Sequence, residues 1–147
     1  MRTLFVVIGV LTVLCCCGGV GVLFFGYRAA SQLMAEAQKY GDDSLRAIAD
    51  SWDVKELERR ADAQLTKQYS KAEMKSLVDK LKKLGSLRGV QSKVTNIEGM
   101  TSTEQETAFL ASYTADCTFE NGLGKAKLQL IKRGNEWRIR QFDLKEK

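Results

Sequence analysis

Residues 3–27 set the first limit on what this chain can become. They read TLFVVIGVLTVLCCCGGVGVLFFGY, 25 residues without a single charge. As a helix rising roughly 1.5 Å per residue this run is about 37 Å long, enough to cross a hydrocarbon core of about 30 Å with some tilt. A cleaved signal peptide has an apolar region of only about 7 to 15 residues that ends at a small-residue site. Here the apolar run continues past Cys15, Cys16 and Cys17 to Tyr27. Residues 1–27 therefore read as a retained, single-pass transmembrane anchor that meets membrane lipid through residues 3–27.

The flanking charges orient that anchor. Arg2 lies on one side, and Arg28 and Lys39, offset by Glu36, lie on the other. The reading taken is amino terminus inside, which places the rest of the chain in the periplasm or outside the cell, held at the inner (plasma) membrane. The three adjacent cysteines lie mid-span rather than at the headgroup level, so they read as small hydrophobes and not as lipidation sites. Cys17 with Gly18, Gly19 and Gly21 leaves a notch of small residues at which two such helices can approach, one route to a homodimer.

The remaining composition removes more functions than it suggests. The chain has no histidine, which takes away the usual general base near neutral pH and the commonest metal ligand. The net charge of +5 comes entirely from residues 71–93, where Lys71, Lys75, Lys80, Lys82, Lys83, Arg88 and Lys93 face only Glu73 and Asp79. That segment lacks interleaved aromatics, so nucleic acid is not an expected partner. Lys71, Lys75, Lys82, Lys83 and Arg88 are instead the candidate contacts to an anionic surface such as lipid headgroups. Cys117 is the only cysteine outside the apolar run, so no disulfide is expected within the soluble part.

Beyond Tyr27 the hydrophobic period is first helical. Ala30, Leu33, Met34 and Ala37 extend the anchor helix through a juxtamembrane segment, residues 28–41, which Gly41 is expected to end. Asp42, Asp43 and Ser44 are candidate N-caps for a second helix with Leu45, Ile48, Ala49 and Trp52 on one face. Asp53-x-x-Glu56 opens a third, with Val54, Leu57, Ala61 and Leu65 aligned. Ser70-x-x-Glu73 opens a fourth, with Met74, Leu77, Val78, Leu81 and Leu84 inward until Gly85.

After Gly89 the period becomes two. A strand over Val90 to Glu98 is followed by a connection over Thr101 to Thr107. A long ribbon then puts Phe109, Ala111, Tyr113, Ala115, Cys117 and Phe119 on one face. Asn121 to Gly124 is expected to turn the chain, Ala126, Leu128 and Leu130 to face inward on the next strand, and Gly134-Asn135 to form a tight hairpin. Trp137 and Ile139 have one parity and Phe142 and Leu144 the other, which predicts a bulge near Arg140 and Gln141. Residues 42–147 thus read as a soluble α+β domain, with helices packed on a curved four-strand antiparallel sheet.

From about Leu45 to Leu144 this order resembles small bacterial membrane-anchored domains of unknown function with the nuclear-transport-factor-2-like, cystatin-like roll. The likeness is carried by the helix Leu45 to Trp52, the helical pair ending in Lys83-Leu84-Gly85-Ser86-Leu87, the strand through Tyr113 and Phe119, and the closing hairpin Gly134 to Ile139. It implies an apolar cone between helix and sheet, lined by Trp52, Phe109, Tyr113, Phe119 and Trp137. Some members of that group are isomerases or dehydratases that work through a carboxylate inside the cone. Asp116 and Glu136 have outward parity on the strands, Asp143 lies between Phe142 and Leu144, and Asp50 and Asp53 read as caps. No nucleophile–base pair, metal-ligand spacing or phosphate loop is present in the sequence. The expectation is therefore a membrane-anchored, non-catalytic binding or scaffolding domain without cofactor or metal, engaging a protein partner, a second copy or a small apolar ligand. An isomerase-like or dehydratase-like enzyme is the alternative.

Overall fold

The structure, a computed structural model, describes residues 2–101 and 107–147, with side chains from Tyr27 onward. The order is α1 (Arg2–Ser51), α2 (Val54–Arg60), α3 (Ala63–Gln68), α4 (Lys71–Leu81), a 3-10 turn (Lys82–Leu84), then β1 (Leu87–Thr101), β2 (Thr107–Phe119), β3 (Gly122–Arg133) and β4 (Glu136–Glu146). The chain forms two compact units, Met1–Leu33 and Met34–Lys147, and the sheet with everything packed on it belongs to the second. Among the described residues no helix is long and apolar enough to cross a membrane. The membrane-spanning expectation for residues 3–27 falls, apart from Tyr27, on side chains outside the described residues. The expected connection over Thr101 to Thr107 lies largely outside them too, in residues 102–106.

Gly41 does not end a helix. α1 runs through it to Ser51, so Asp42, Asp43 and Ser44 are mid-helix residues and not caps. The stripe that meets the sheet is Ala37, Gly41, Ser44, Leu45, Ile48, Ala49 and Trp52, all buried, at the spacing of one helix face. Fully burying Leu45 or Ile48 contributes about 1.5–3 kcal/mol each. The helix stops at Trp52, whose N–H bonds the Ile48 carbonyl at 2.8 Å while its backbone turns left-handed at φ +45°.

The expected third helix is two. Asp53 caps α2 by accepting from the Lys55 N–H, and Asp62 caps α3 by accepting from the Gln64 N–H. Between them Ala61 leaves the helical path and forms a parallel bridge to Ile139 of β4. Leu57 and Leu65 are both buried, so the apolar stripe was real although the helix is broken within it. At α4 the Ser70–Glu73 capping box closes both ways. Met74, Val78, Leu81 and Leu84 are buried, and Gly85 at φ +77° ends the segment.

The four strands form one antiparallel sheet in the order β1-β2-β3-β4. β1 is longer than the Val90–Glu98 strand expected, and it has register shifts between Leu87 and Gly89 and between Val94 and Asn96. β2 and β3 join through a two-residue turn, Glu120-Asn121, because Phe119 already pairs with Gly122. Leu123 and Gly124 are therefore strand residues. Gly124 is needed there because a Cβ would lie 2.9 Å from the Phe119 ring. Gly134, at φ +58°, makes the β3–β4 turn. The bulge expected near Arg140 is present: Gln141 pairs with Gln129 while Ile139 pairs with Leu130, which leaves Arg140 as the extra residue. It keeps Trp137, Ile139, Phe142 and Leu144 all on the helix side, all buried. The architecture is α+β, with helices packed on a four-strand antiparallel sheet.

Candidate functional site

The five aromatic residues expected to line a cone do not surround one space. α1 passes over Trp137, Tyr113 and Phe119 in succession, from Glu36 to Trp52, a span of about 24 Å at roughly 1.5 Å per residue. At its Met34 end the Trp137 indole N–H points at Glu36 Oε2 at 3.5 Å. Lys132 Nζ lies 5.7 Å from the centre of that ring and also donates to Glu36. The bond to Lys132 holds the Glu36 carboxyl below the usual carboxylate range. At the other end Trp52 packs on Phe119 with ring centres 6.0 Å apart, and its indole N–H donates to the Gly85 carbonyl at 2.9 Å. Phe109 is only half-buried, with its ring beside Gly99 of β1.

Tyr113 occupies the middle. It is fully buried, and its hydroxyl donates to Asp42 Oδ1 at 2.6 Å. Beside it the Gln38 amide donates to the Ser92 hydroxyl at 3.1 Å and to the Ser92 carbonyl at 3.2 Å. Gln38 and Asp42 are one helical turn apart on the flank of the buried stripe, so the pair of polar contacts follows from the continuity of α1. Reading the strands for an inward acid missed Asp42 because the acid comes from the helix. The signal was present in its position one residue after Gly41 and four after Gln38, once no helix boundary is drawn there. Burial, and then the Asp42 carboxylate, push the Tyr113 phenol up from its ordinary value, so it stays protonated and acts as a fixed donor. Cys117, on the same face of β2, is pushed up to about 11 by burial and by the neighbouring Asp116 charge, which makes it a poor nucleophile. Among the described residues no three histidine, cysteine, aspartate or glutamate side chains group to hold a metal ion.

The basic residues are distributed along α4 and beyond it. Lys71 begins α4, Lys75 pairs with Asp79 at 2.8 Å, and Lys83 pairs with Glu146 at 2.8 Å. Arg88 pairs with Glu120 at 3.2 Å. Three of the five candidate contacts thus have carboxylate partners, and Lys82 with Lys83 lies in the 3-10 turn. Lys83 and Arg88 sit beside the Glu120-Asn121 turn, where α1 ends, and not at the Met34 end of the domain.

Away from Ile131, which is buried beside Ala61, Asp62 and Ala63, the outer face of the sheet carries no helix among the described residues. Leu110, Ser112, Thr114 and Asp116 of β2 align with Ile131, Gln129, Lys127 and Lys125 of β3. Shallow depressions there are lined by Gln91, Asp116, Thr118, Leu123 and Lys147, and by Ser112, Lys127, Gln141 and Asp143. Its charges are of both signs, and Lys147 pairs with Asp116 at 2.6 Å. Set against known proteins, the chain matches no family model, no curated protein and no solved structure.

Proposed function

We propose that this chain is a single-pass membrane protein whose α+β domain, a roll of the cystatin-like kind, binds a macromolecular partner outside the cytoplasm and performs no chemistry. The observation that carries the reading is the closeness of α1 to the sheet. Gly41 lies directly against the Tyr113 ring, which closes the gap between helix and sheet at the middle of the buried stripe, where a small apolar ligand or a substrate would need space. The acid that an isomerase or dehydratase of this shape needs is present as Asp42, yet it is engaged by a tyrosine that solvent does not reach. What stays accessible is the uncovered sheet face with its mixed charges and depressions, a surface suited to a protein rather than to a small molecule. The uncharged run 3–27 supports the anchor. The basic residues support headgroup contact less well, since Lys75, Lys83 and Arg88 already have partners.

Two measurements test this. Full-length protein should stay with membranes after an alkaline wash, and native mass spectrometry from detergent should show the bare polypeptide mass. Release by the wash would remove the anchor, and a retained apolar small molecule would return the cone to consideration.

A further inference from the structure

The two long edges of the sheet are finished differently. β4 is closed near its middle by the α2–α3 joint: Ala61 bridges to Ile139, and the Asp62 N–H donates to the Ile139 carbonyl at 2.7 Å. β1 has β2 on one side, and among the described residues no strand on the other. It is 15 residues long, carries half-buried Val90, Val94 and Ile97, and exposes Met100. At Ser92 that edge is already met by α1, whose Gln38 amide donates to the Ser92 carbonyl at 3.2 Å; the rest of its length is a template for another strand.

We infer that this edge receives a second copy of the chain, β1 against β1 in antiparallel register about a two-fold axis, so that two sheets become one. The inference rests on the partner-binding role proposed above and names the partner.

Its register follows from the bulge at Thr95. In an antiparallel pair, residues directly opposite share a face of the sheet. In a regular strand Lys93 and Glu98 would lie on opposite faces. The extra residue brings both to the outer face, where Lys93 pairs with Thr114 and Glu98 with Leu110 of β2. It likewise brings Val94 and Ile97, opposite Tyr113 and Ala111, to the helix side. Placing Lys93 of one copy opposite Glu98 of the other therefore places Val94 opposite Ile97. The symmetry forms each pair twice, with opposite charges on the solvent face and apolar side chains on the other. β1 carries one further charge, Arg88. Setting Arg88 opposite Glu98 would put Lys93 opposite its own copy, and Arg88 already pairs with Glu120 within the chain. Lys93 to Glu98 is thus the register in which opposite charges meet and like charges do not.

The test uses the full chain in detergent micelles, with mass measured by light scattering over a concentration series. Wild type is expected to be a dimer. Lys93→Glu and Glu98→Lys each oppose like charges twice and should weaken the dimer on the order of tenfold, while the double reversal K93E/E98K restores it. Both residues are exposed, so the domain should fold in all three variants, which circular dichroism checks. A monomer throughout, or a dimer indifferent to the single reversals, overturns the β1 pairing; the second result would move association to the small-residue notch at Cys17 to Gly21 or to another partner. Membrane retention after an alkaline wash is measured on the same variants. A retained monomer overturns β1 pairing and leaves the anchored reading intact. A charge-sensitive dimer that washes off upholds the pairing and removes the anchor.

Discussion

Tyr113 fills the space that a side chain at residue 41 would need: a Cβ on Gly41 would collide with Tyr113 Cε2 and Cδ2. Replacing glycine by alanine inside a helix normally gains about 1 kcal/mol. Here overpacking by one methyl group costs about 1–3 kcal/mol and should outweigh it. Gly41→Ala is expected to lower the urea midpoint of the full chain in detergent, followed by tryptophan fluorescence. An unchanged or raised midpoint would mean that the ring moves aside without loss.

Tyr113→Phe deletes the hydroxyl that Asp42 accepts and keeps the ring. A hydrogen bond to a charged group contributes about 1.5–3 kcal/mol, and Asp42, only half-buried, recovers part of that from water. A loss of about 1–2 kcal/mol is expected. Asp42→Asn keeps an acceptor for the phenol and should lose less. Equal losses in the two variants would count against this ranking.

Deletion of Arg140 removes the extra residue of the bulge: Gln141 then follows Ile139 directly and still pairs with Gln129, so Phe142 and Leu144 keep the helix side and Gln141 and Asp143 the outer one. The deletion should therefore leave the domain folded with β4 docked, read as retained protection of β3 amides in hydrogen exchange. Lost protection would show that the bend of the bulge itself, and not only its parity, holds Phe142 and Leu144 in place.

Asp62 carries an acid dependence. Burial raises its pKa, but the hydrogen bond and charge of Arg133, with the Gln64 and Ala63 N–H groups, outweigh burial and hold the carboxyl below its ordinary value. A depressed folded-state pKa gives stability that is complete above the unfolded-state value and is lost as pH falls through the folded one. Unfolding midpoints measured downward from pH 7 should therefore fall more steeply below about pH 4 for wild type than for Asp62→Asn. Parallel curves would remove Asp62 from the account.

Cys117, buried and with its thiol pushed up, should resist alkylation at neutral pH until the domain opens. Iodoacetamide labelling followed by mass spectrometry of the peptide that contains Cys117 should be slow in buffer and fast in denaturant. Prompt labelling in buffer would show that β2 is less well packed than its burial implies.

The strands were the legible part of the fold, because the period of two and its phase break at Arg140 depend only on which side chains avoid water. The α4 capping box was equally legible, since Ser70 and Glu73 act within one turn. Gly41 misled because a helix-ending glycine and a glycine that admits a neighbouring ring look identical until the neighbour is known. Ala61 misled for the same reason: the apolar stripe from Val54 to Leu65 continues, and only the bridge to Ile139 breaks the helix. Asp42 lay outside the reach of strand parity, since its partner Tyr113 is 71 positions away in sequence.

The seal that Ala61 places on β4 limits how such a molecule can accumulate. With one flank of the sheet plugged by its own main chain, backbone-templated growth has a single direction, and the first strand laid there uses it up. Stacking into fibres by that route stops at its first step.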